Sequence, residues 1–494
     1  MQLTACEIAG YRSLRAVRLP LGPVSVLLGE NGVGKTNLLT ALGLLQAAAT
    51  GPICRMLIDE GGLGRALWAG RPAASDGPAP TSIRLTAHFT NLRYTIEIGH
   101  PGKGDAALAG EPTVRAETLA HTGIGDNGAG ERIVMQREGA DVRLRNAKGE
   151  RQHLKQHLQP GETALNAIRD AASYPELAYV RELLEGWRIY HRFNLAADAP
   201  SRAPALAAMT PALAADGRDL AAALATISAG RPMPETLVTA LRDAFPGATL
   251  ETSIADGRVS FQLRLSDMDR SLIPREMSEG TLQYLCLLAV LMAYRKPGLI
   301  AINEPEASLH ESFLAPLARL IARAGADKDA PSQICIVTQS GALAREIAKA
   351  ADIRPMKVLR QNGQTRIEGA AAPASLPRPE LTEAPPAPAP APAPAAIAKE
   401  PGDEPALDTQ IEEVRSLTAA REVLAEIRKL IARLREHPDE LTEIHPKIEA
   451  RLARLRSTAV ALPPEFASLT GRLDEELRAI VAKPAEDKRP ASIS

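Results

Sequence analysis

Residues 29–36 read Gly29-Glu30-Asn31-Gly32-Val33-Gly34-Lys35-Thr36 and meet the spacing G-x-x-x-x-G-K-[ST] at every fixed position. The flanks give the match its meaning. Val24 to Leu28 is a short apolar run that reads as a buried strand, and Asn37 to Leu42 opens a helix. Strand, glycine-rich loop and helix, in that order, let backbone N–H groups curl around a phosphate with no side chain in the way. The helix N-terminus adds about half a positive charge aimed at the same anion. In this arrangement Lys35 reaches the β- and γ-phosphates and the Thr36 hydroxyl holds Mg²⁺, so ATP and Mg²⁺ are the expected ligands.

A second strand carries the other half of such a site. Leu299 to Ile302 is apolar and ends in Asn303-Glu304-Pro305-Glu306. A carboxylate at a strand tip beside a γ-phosphate is the expected general base or water orienter, which assigns the catalytic role to Glu304. Ser278-Glu279-Gly280-Thr281 lies just before an apolar helix expected to start near Leu282. Its hydroxyl and free N–H groups suit either an anion or an ordinary helix cap. From 281 to 370, helix and apolar strand alternate, as a mostly parallel α/β sheet requires.

The chain has 494 residues, room for about two to four domains. Ile83, Leu85, Ala87 and Phe89, then Leu92, Tyr94, Ile96 and Ile98, alternate around Thr90-Asn91 and predict a hairpin. Strand-like stretches near Val114, Ile133 and Val142 carry this region to about 150. Helical spacing follows at Leu177, Val180, Leu184 and Trp187, and at Leu237, Leu241 and Phe245. The expected organisation is a 1–370 nucleotide-binding block with a strand-rich and helical insertion over about 100–250. Residues 371–403 form an alanine–proline linker, with nine prolines from Pro373 to Pro394. In polyproline geometry it could span about 90 Å. Three apolar stripes over 404–483 predict a small helical bundle or hairpin, and 484–494 reads as a disordered tail.

Composition narrows the class. Hydrophobic content of 45% supports real cores, and aromatic content of 3% argues against base-stacking platforms. A formal net charge of −1 argues against a surface coated in positive charge for DNA, though not against a local groove. Cys6, Cys54, Cys286 and Cys335 have no C-x-x-C spacing and read as buried free thiols, with no further metal site. No run is long enough to span a bilayer, and the N-terminus lacks a secretory pattern, so a cytoplasmic protein with no membrane partner is expected.

The order GENGVGKT, SEGT, INEPEASLH and Val337-Thr338-Gln339-Ser340 resembles the ABC-type ATPases of the RecF, SMC and OLD group, most nearly bacterial ATPases of the RecF-like kind. Ile8-Ala9-Gly10-Tyr11-Arg12-Ser13-Leu14 is similar to their first strand with its "RS" pair. The segments from Glu60-Gly61-Gly62 to Leu67-Trp68-Ala69-Gly70 and Trp187-Arg188-Ile189-Tyr190-His191 are similar to theirs as well. The likeness covers about residues 1–370. It implies a P-loop α/β fold in which two heads close head to tail around two ATP molecules. Ser278, Glu279 and Gly280 would be the signature motif contacting the partner's nucleotide, Ala307 to His310 would cross to the other subunit, and Arg12 would lie near the nucleotide. The group's metal-associated aspartate is Asn303 here and its switch histidine is Gln339, so the resemblance implies slow hydrolysis.

The function expected from this reading is an ATP-gated, dimerising ATPase in a DNA-linked process, either antiphage defence or DNA repair and maintenance. The alternative is a regulatory subunit that holds a separate nuclease or toxin effector through its C-terminal helices. A transporter ATPase is disfavoured by the long stretch between loop and signature.

Overall fold

The structure is a computed structural model that describes residues 2–71, 78–101, 111–123, 130–154, 158–229, 234–327, 331–370 and Pro446. The chain divides into two units, Met1–Glu380 and Leu381–Ser494, and the description concerns the first. The linker over 371–403, the 484–494 tail and, Pro446 apart, the helical segment over 404–483 lie outside the described residues.

Strands β1 (Leu3–Tyr11) and β2 (Leu14–Pro20) precede β3 (Val24–Leu28), which leads through the glycine-rich loop into α1 (Lys35–Thr50). Short helices α2 (Ile53–Asp59) and α3 (Leu63–Ala66) follow. Six strands come next: β4 (Ser82–Phe89), β5 (Leu92–Gly99), β6 (Thr113–Thr122), β7 (Glu131–Glu138), β8 (Asp141–Arg145) and β9 (Arg151–His153). Then come α4 (Ala164–Ala167), α5 (Pro175–Glu185), β10 (Arg188–Tyr190), β11 (Ala205–Leu206), α6 (Leu220–Ser228), α7 (Glu235–Ala244) and the hairpin β12 (Thr249–Ala255) and β13 (Arg258–Arg264). The block ends with α8 (Glu279–Leu291), β14 (Leu299–Asn303), α9 (Leu314–Ala326), β15 (Gln333–Thr338), α10 (Gly341–Ala351), β16 (Met356–Gln361) and β17 (Gln364–Ile367).

The site-bearing sheet has the order β10-β14-β15-β3-β16-β17 and is parallel from β10 to β16. Its central strands, VSVLL, LIAIN and QICIVT, are apolar almost throughout because both of their faces are covered. Alternation divides their side chains between two cores. Leu27, Leu299, Ala301, Cys335 and Val337 face α1 and the antiparallel strands. Val26, Ile300, Ile302, Ile334 and Ile336 face α8, α9 and α10. Each fully buried Leu or Ile contributes about 1.5–3 kcal/mol, so this two-sided sandwich fixes the strand tips that carry the site.

The second sheet is antiparallel, in the order β2-β1-β4-β5-β6-β7-β8-β9. The hairpin expected around Thr90-Asn91 is β4–β5. The stretch over about 100–250 is divided between the two cores. β4 pairs with β1, Ile8 opposite Leu85, so β6 to β9 continue the N-terminal sheet. The later part of that stretch, α6, α7 and β12–β13, buries Leu224, Leu241 and Phe261 in the other core, with α8. The physical reason is that the two stretches present apolar faces to opposite sides of the parallel sheet. The sheets are joined by Gln333, whose buried amide receives the Leu3 N–H and donates to the Leu3 carbonyl, both at 2.8 Å, as a backbone unit would. Among the described residues no helix is long and apolar enough to cross a membrane.

Candidate nucleotide site

The loop between β3 and α1 has the form its sequence requires. Gly34 caps α1 in the left-handed region at φ 99°, where a side chain is strained. A Cβ there would also run into the side chains of Thr365 and Ser13. No side chain caps α1, and no acidic residue lies in its first turn. The N–H groups and positive end of a 16-residue helix are therefore left for an external anion. Thr36 stands exposed in that first turn. Lys35 is buried, with its ammonium donating to the carbonyls of Gly29 and Glu30 at 2.7 Å each. Burial lowers its pKa, and the carboxylates of Glu304 and Glu306 oppose that shift. Both acids thus stand within electrostatic reach of the loop lysine.

The tip of β15 lies beside β3 and that of β14 beside β15, with Thr338 opposite Leu28 and Asn303 opposite Val337. The chain turns sharply at Glu304, in the left-handed region at φ 45°, with its N–H bonded to the Val337 carbonyl at 2.7 Å. Glu306 Oε1 accepts from the Thr338 hydroxyl and from the backbone N–H groups of Gln339 and Ser340, each of the latter at 3.3 Å. Glu306 Oε2 and Asn303 Oδ1 are buried with no hydrogen-bond partner among the described residues. A buried acceptor left this way costs about 1–3 kcal/mol, which a ligand that donates to it recovers. Gln339 is exposed and lines a cavity of about 750 Å³ together with Gly29 to Val33, Lys357 and Arg360.

Ser278 is placed slightly differently from the sequence reading. It is itself the N-cap of α8, accepting from the Thr281 N–H at 3.1 Å, so Glu279 and Gly280 form the first helical turn. Ser278 and Glu279 are exposed. Gly280 abuts the loop after Glu304, where an added Cβ would lie 2.6 Å from the Ser308 carbonyl. Gln283 Nε2 donates to the Pro305 carbonyl at 3.2 Å, tying α8 to the same loop. A cleft of about 660 Å³ separates this face from the segment after β10, with Asn303, Glu304, Glu279 and His191 among its walls. His191 keeps an exposed face, yet the walls desolvate its imidazole and lower its pKa.

Arg12 occupies the left-handed region at φ 48°, held by its N–H to the Ala66 carbonyl and by the Ala69 N–H to its own carbonyl. Its guanidinium pairs with Glu60 at 2.9 Å and reaches Asn37 Oδ1 in the first turn of α1 at 3.4 Å. The structure therefore gathers Arg12, the Gly29–Thr36 loop, Asn303, Glu304 and Gln339 at one end of the parallel sheet, with Gly280 against the loop that follows Glu304. Sequence reasoning gave no role to Glu306, Arg360 or Thr365, and it quoted Ser13, Glu60 and His191 only as parts of segments similar to the RecF, SMC and OLD group. Glu306 was open to discovery from its place in Asn303-Glu304-Pro305-Glu306. Thr365 carries no local pattern.

These residues fit a magnesium nucleotide. The fit rests on the uncapped α1, the buried lysine and the orphan acceptors of Asn303 and Glu306. Among the described residues no group of three or more His, Cys, Asp or Glu is arranged to hold a metal, so a divalent cation would be held chiefly by the phosphates, Thr36 and water.

Residues 24–344 match the family described as "AAA domain, putative AbiEii toxin, Type IV TA system", and the chain belongs to it. With the site above, this defines a P-loop ATPase-family protein. Among solved structures the chain is similar to the SmcHead bound to the C-winged helix domain of ScpA, at 13% identity and a TM-score of 0.41, over 74% of this chain and 97% of that one. It is also similar to the SMC head domain from Thermotoga maritima, at 13% identity and a TM-score of 0.37, over 74% and 98%. An Smc head with an extended coiled coil, bound to the C-terminal domain of ScpA and derived from Pyrococcus furiosus, gives 12% identity and a TM-score of 0.40, over 74% and 95%. No curated protein matches the chain.

Proposed function

We propose that this chain binds ATP with Mg²⁺ and hydrolyses it slowly, as an ATP-gated dimer of the RecF, SMC and OLD kind. The observation that carries the reading is Lys35, buried inside a glycine loop at the uncapped, acid-free start of α1, with Glu304 just past the tip of β14, one strand removed across β15. In the proposed reaction Gly29 to Gly34 hold the phosphates through backbone N–H groups, Lys35 moves from its loop carbonyls onto the phosphate oxygens, and Glu304 takes a proton from the attacking water. The cation, when bound, neutralises developing phosphate charge. Asn303 and Gln339 are neutral, which supports slow turnover. Ser278 and Glu279 are exposed, and with Gly280 they would meet the nucleotide of a second copy.

The finer role is a DNA-linked one, in phage defence or in repair. A second reading is a regulatory subunit that holds and releases a separate nuclease or toxin effector through the C-terminal helical segment. The family description, which names a putative toxin of a toxin–antitoxin system, supports a toxin–antitoxin setting without naming such an effector.

The test is Lys35→Ala. Removing the only cation of the loop is expected to abolish measurable ATP binding in titration calorimetry while leaving the melting temperature within a few degrees. Affinity within threefold of the parent would overturn the assignment.

A further inference from the structure

The position that carries a metal-associated aspartate in related sites is neutral here, yet a carboxylate stands three residues on. Glu306 uses one oxygen to gather Thr338, Gln339 and Ser340 at the tip of β15. Its other oxygen is buried and has no donor among the described residues. Asn303 Oδ1, on the same turn, is in the same condition. Both atoms are acceptors, so what satisfies them must donate hydrogen bonds or carry positive charge. A phosphate oxygen does neither. Lys35 gives two of its three N–H donors to Gly29 and Glu30, and neither Glu306 Oε2 nor Asn303 Oδ1 receives the third. A cation-bound water has both properties, and Glu306 lies close enough to the phosphate loop to act electrostatically on Lys35.

We propose that Glu306 and Asn303 together hold the water shell of a divalent cation bound with the nucleotide, Glu306 supplying the charge that Asn303 lacks. The inference rests on the reading that the loop binds nucleotide. It leaves Glu304 free to serve the attacking water, and it gives Glu306 a second effect. The same carboxylate that feels the cation also fixes the Gln339 backbone, so cation binding and the position of the β15 tip are coupled through one side chain.

The test compares affinity for a non-hydrolysable ATP analogue with Mg²⁺ and with EDTA, by calorimetry on the full chain. The parent is expected to tighten at least tenfold with Mg²⁺. Glu306→Gln keeps the shape and is expected to lose most of that enhancement while its affinity in EDTA stays within threefold. Adding Asn303→Asp to Glu306→Gln moves the charge to the neighbouring position and is expected to restore the enhancement. Full enhancement in Glu306→Gln overturns the proposal, as does an equal loss in EDTA, which would make Glu306 a brace for β15 alone. Should Glu306→Gln fail to fold, Asn303→Ala carries the test, and an unchanged enhancement there overturns the pairing. A parent chain that binds no analogue under either condition overturns the nucleotide reading and this inference with it.

Discussion

Ser13 and Thr365, 352 positions apart, share a hydrogen bond of 2.7 Å behind the phosphate loop. The direction of the bond follows from its neighbours. The Thr365 hydroxyl donates to the Val33 carbonyl at 2.7 Å, so Ser13 must donate to Thr365, and Asn37 Nδ2 in turn donates to Ser13 at 2.8 Å. The relay runs from the first turn of α1, through the β1–β2 turn and β17, back into the loop at Val33. It pins the carbonyl just before Gly34 and so helps to aim the loop N–H groups inward.

Thr365→Val keeps the volume and removes both hydroxyl bonds. Each such bond is worth about 1 kcal/mol, so ATP affinity is expected to fall about five- to thirtyfold if the loop must be ordered to bind. Thr365→Ser is expected to restore most of it. Calorimetric titration decides, and equal affinities for all three proteins would show that the relay serves only the fold.

Glu304→Gln tests the chemical step. The amide preserves shape and the φ 45° turn but cannot take a proton. ATP binding is expected to persist within threefold while phosphate release drops by about 10²-fold or more, the usual scale of general-base catalysis. Light scattering with ATP is expected to show accumulation of the dimer. Unchanged phosphate release would move the base to another residue.

Much of this was legible in the chain because it is local. The loop, the strand ending at Asn303 and the cap at Ser278 are short segments whose chemistry and flanking periodicity coincide. What was hidden depends on pairing across long separations. Thr365 is a site residue only because β17 lies against the β1–β2 turn, and Glu60 only because its segment folds onto Tyr11 and Arg12, with the Tyr11 hydroxyl 3.0 Å from its carboxylate. The division of the 100–250 stretch between two cores was hidden for the same reason. Alternation at Leu85 reveals a buried face but not that β1 is the neighbour it pairs with. Glu306 was visible as an acid two residues after Glu304, but its bonds to the β15 tip follow only from the pairing of β14 with β15.

The antiparallel sheet contributes a pH dependence through its buried carboxylates. Burial pushes the Glu97 carboxyl up, but hydrogen bonds from Arg84 and Ser82 outweigh it and hold the pKa below the ordinary 4.5. Arg84 approaches Glu97 Oε2 at 2.7 Å and the Ser82 hydroxyl approaches Oε1 at 2.8 Å. Glu7 behaves alike, with burial outweighed by His88 and Arg18. A carboxyl whose folded pKa is depressed contributes stability that is complete above the unfolded value and is lost as pH falls through the folded one. Glu117 opposes the trend. Burial raises it despite hydrogen bonds from Leu165, Ala164 and Tyr94 and the nearby charge of Arg137, so its share favours the fold as pH falls. The contribution of Glu97 is separable from both by substitution. Glu97→Gln is expected to melt at a lower temperature than the parent at pH 7, with the gap narrowing below about pH 4.5 as the parent's carboxylate is protonated. Melting curves of the two proteins from pH 7 to pH 3 provide the measurement. A gap that stays constant over that range would mean that the Arg84–Glu97 pair adds nothing to stability through its charge.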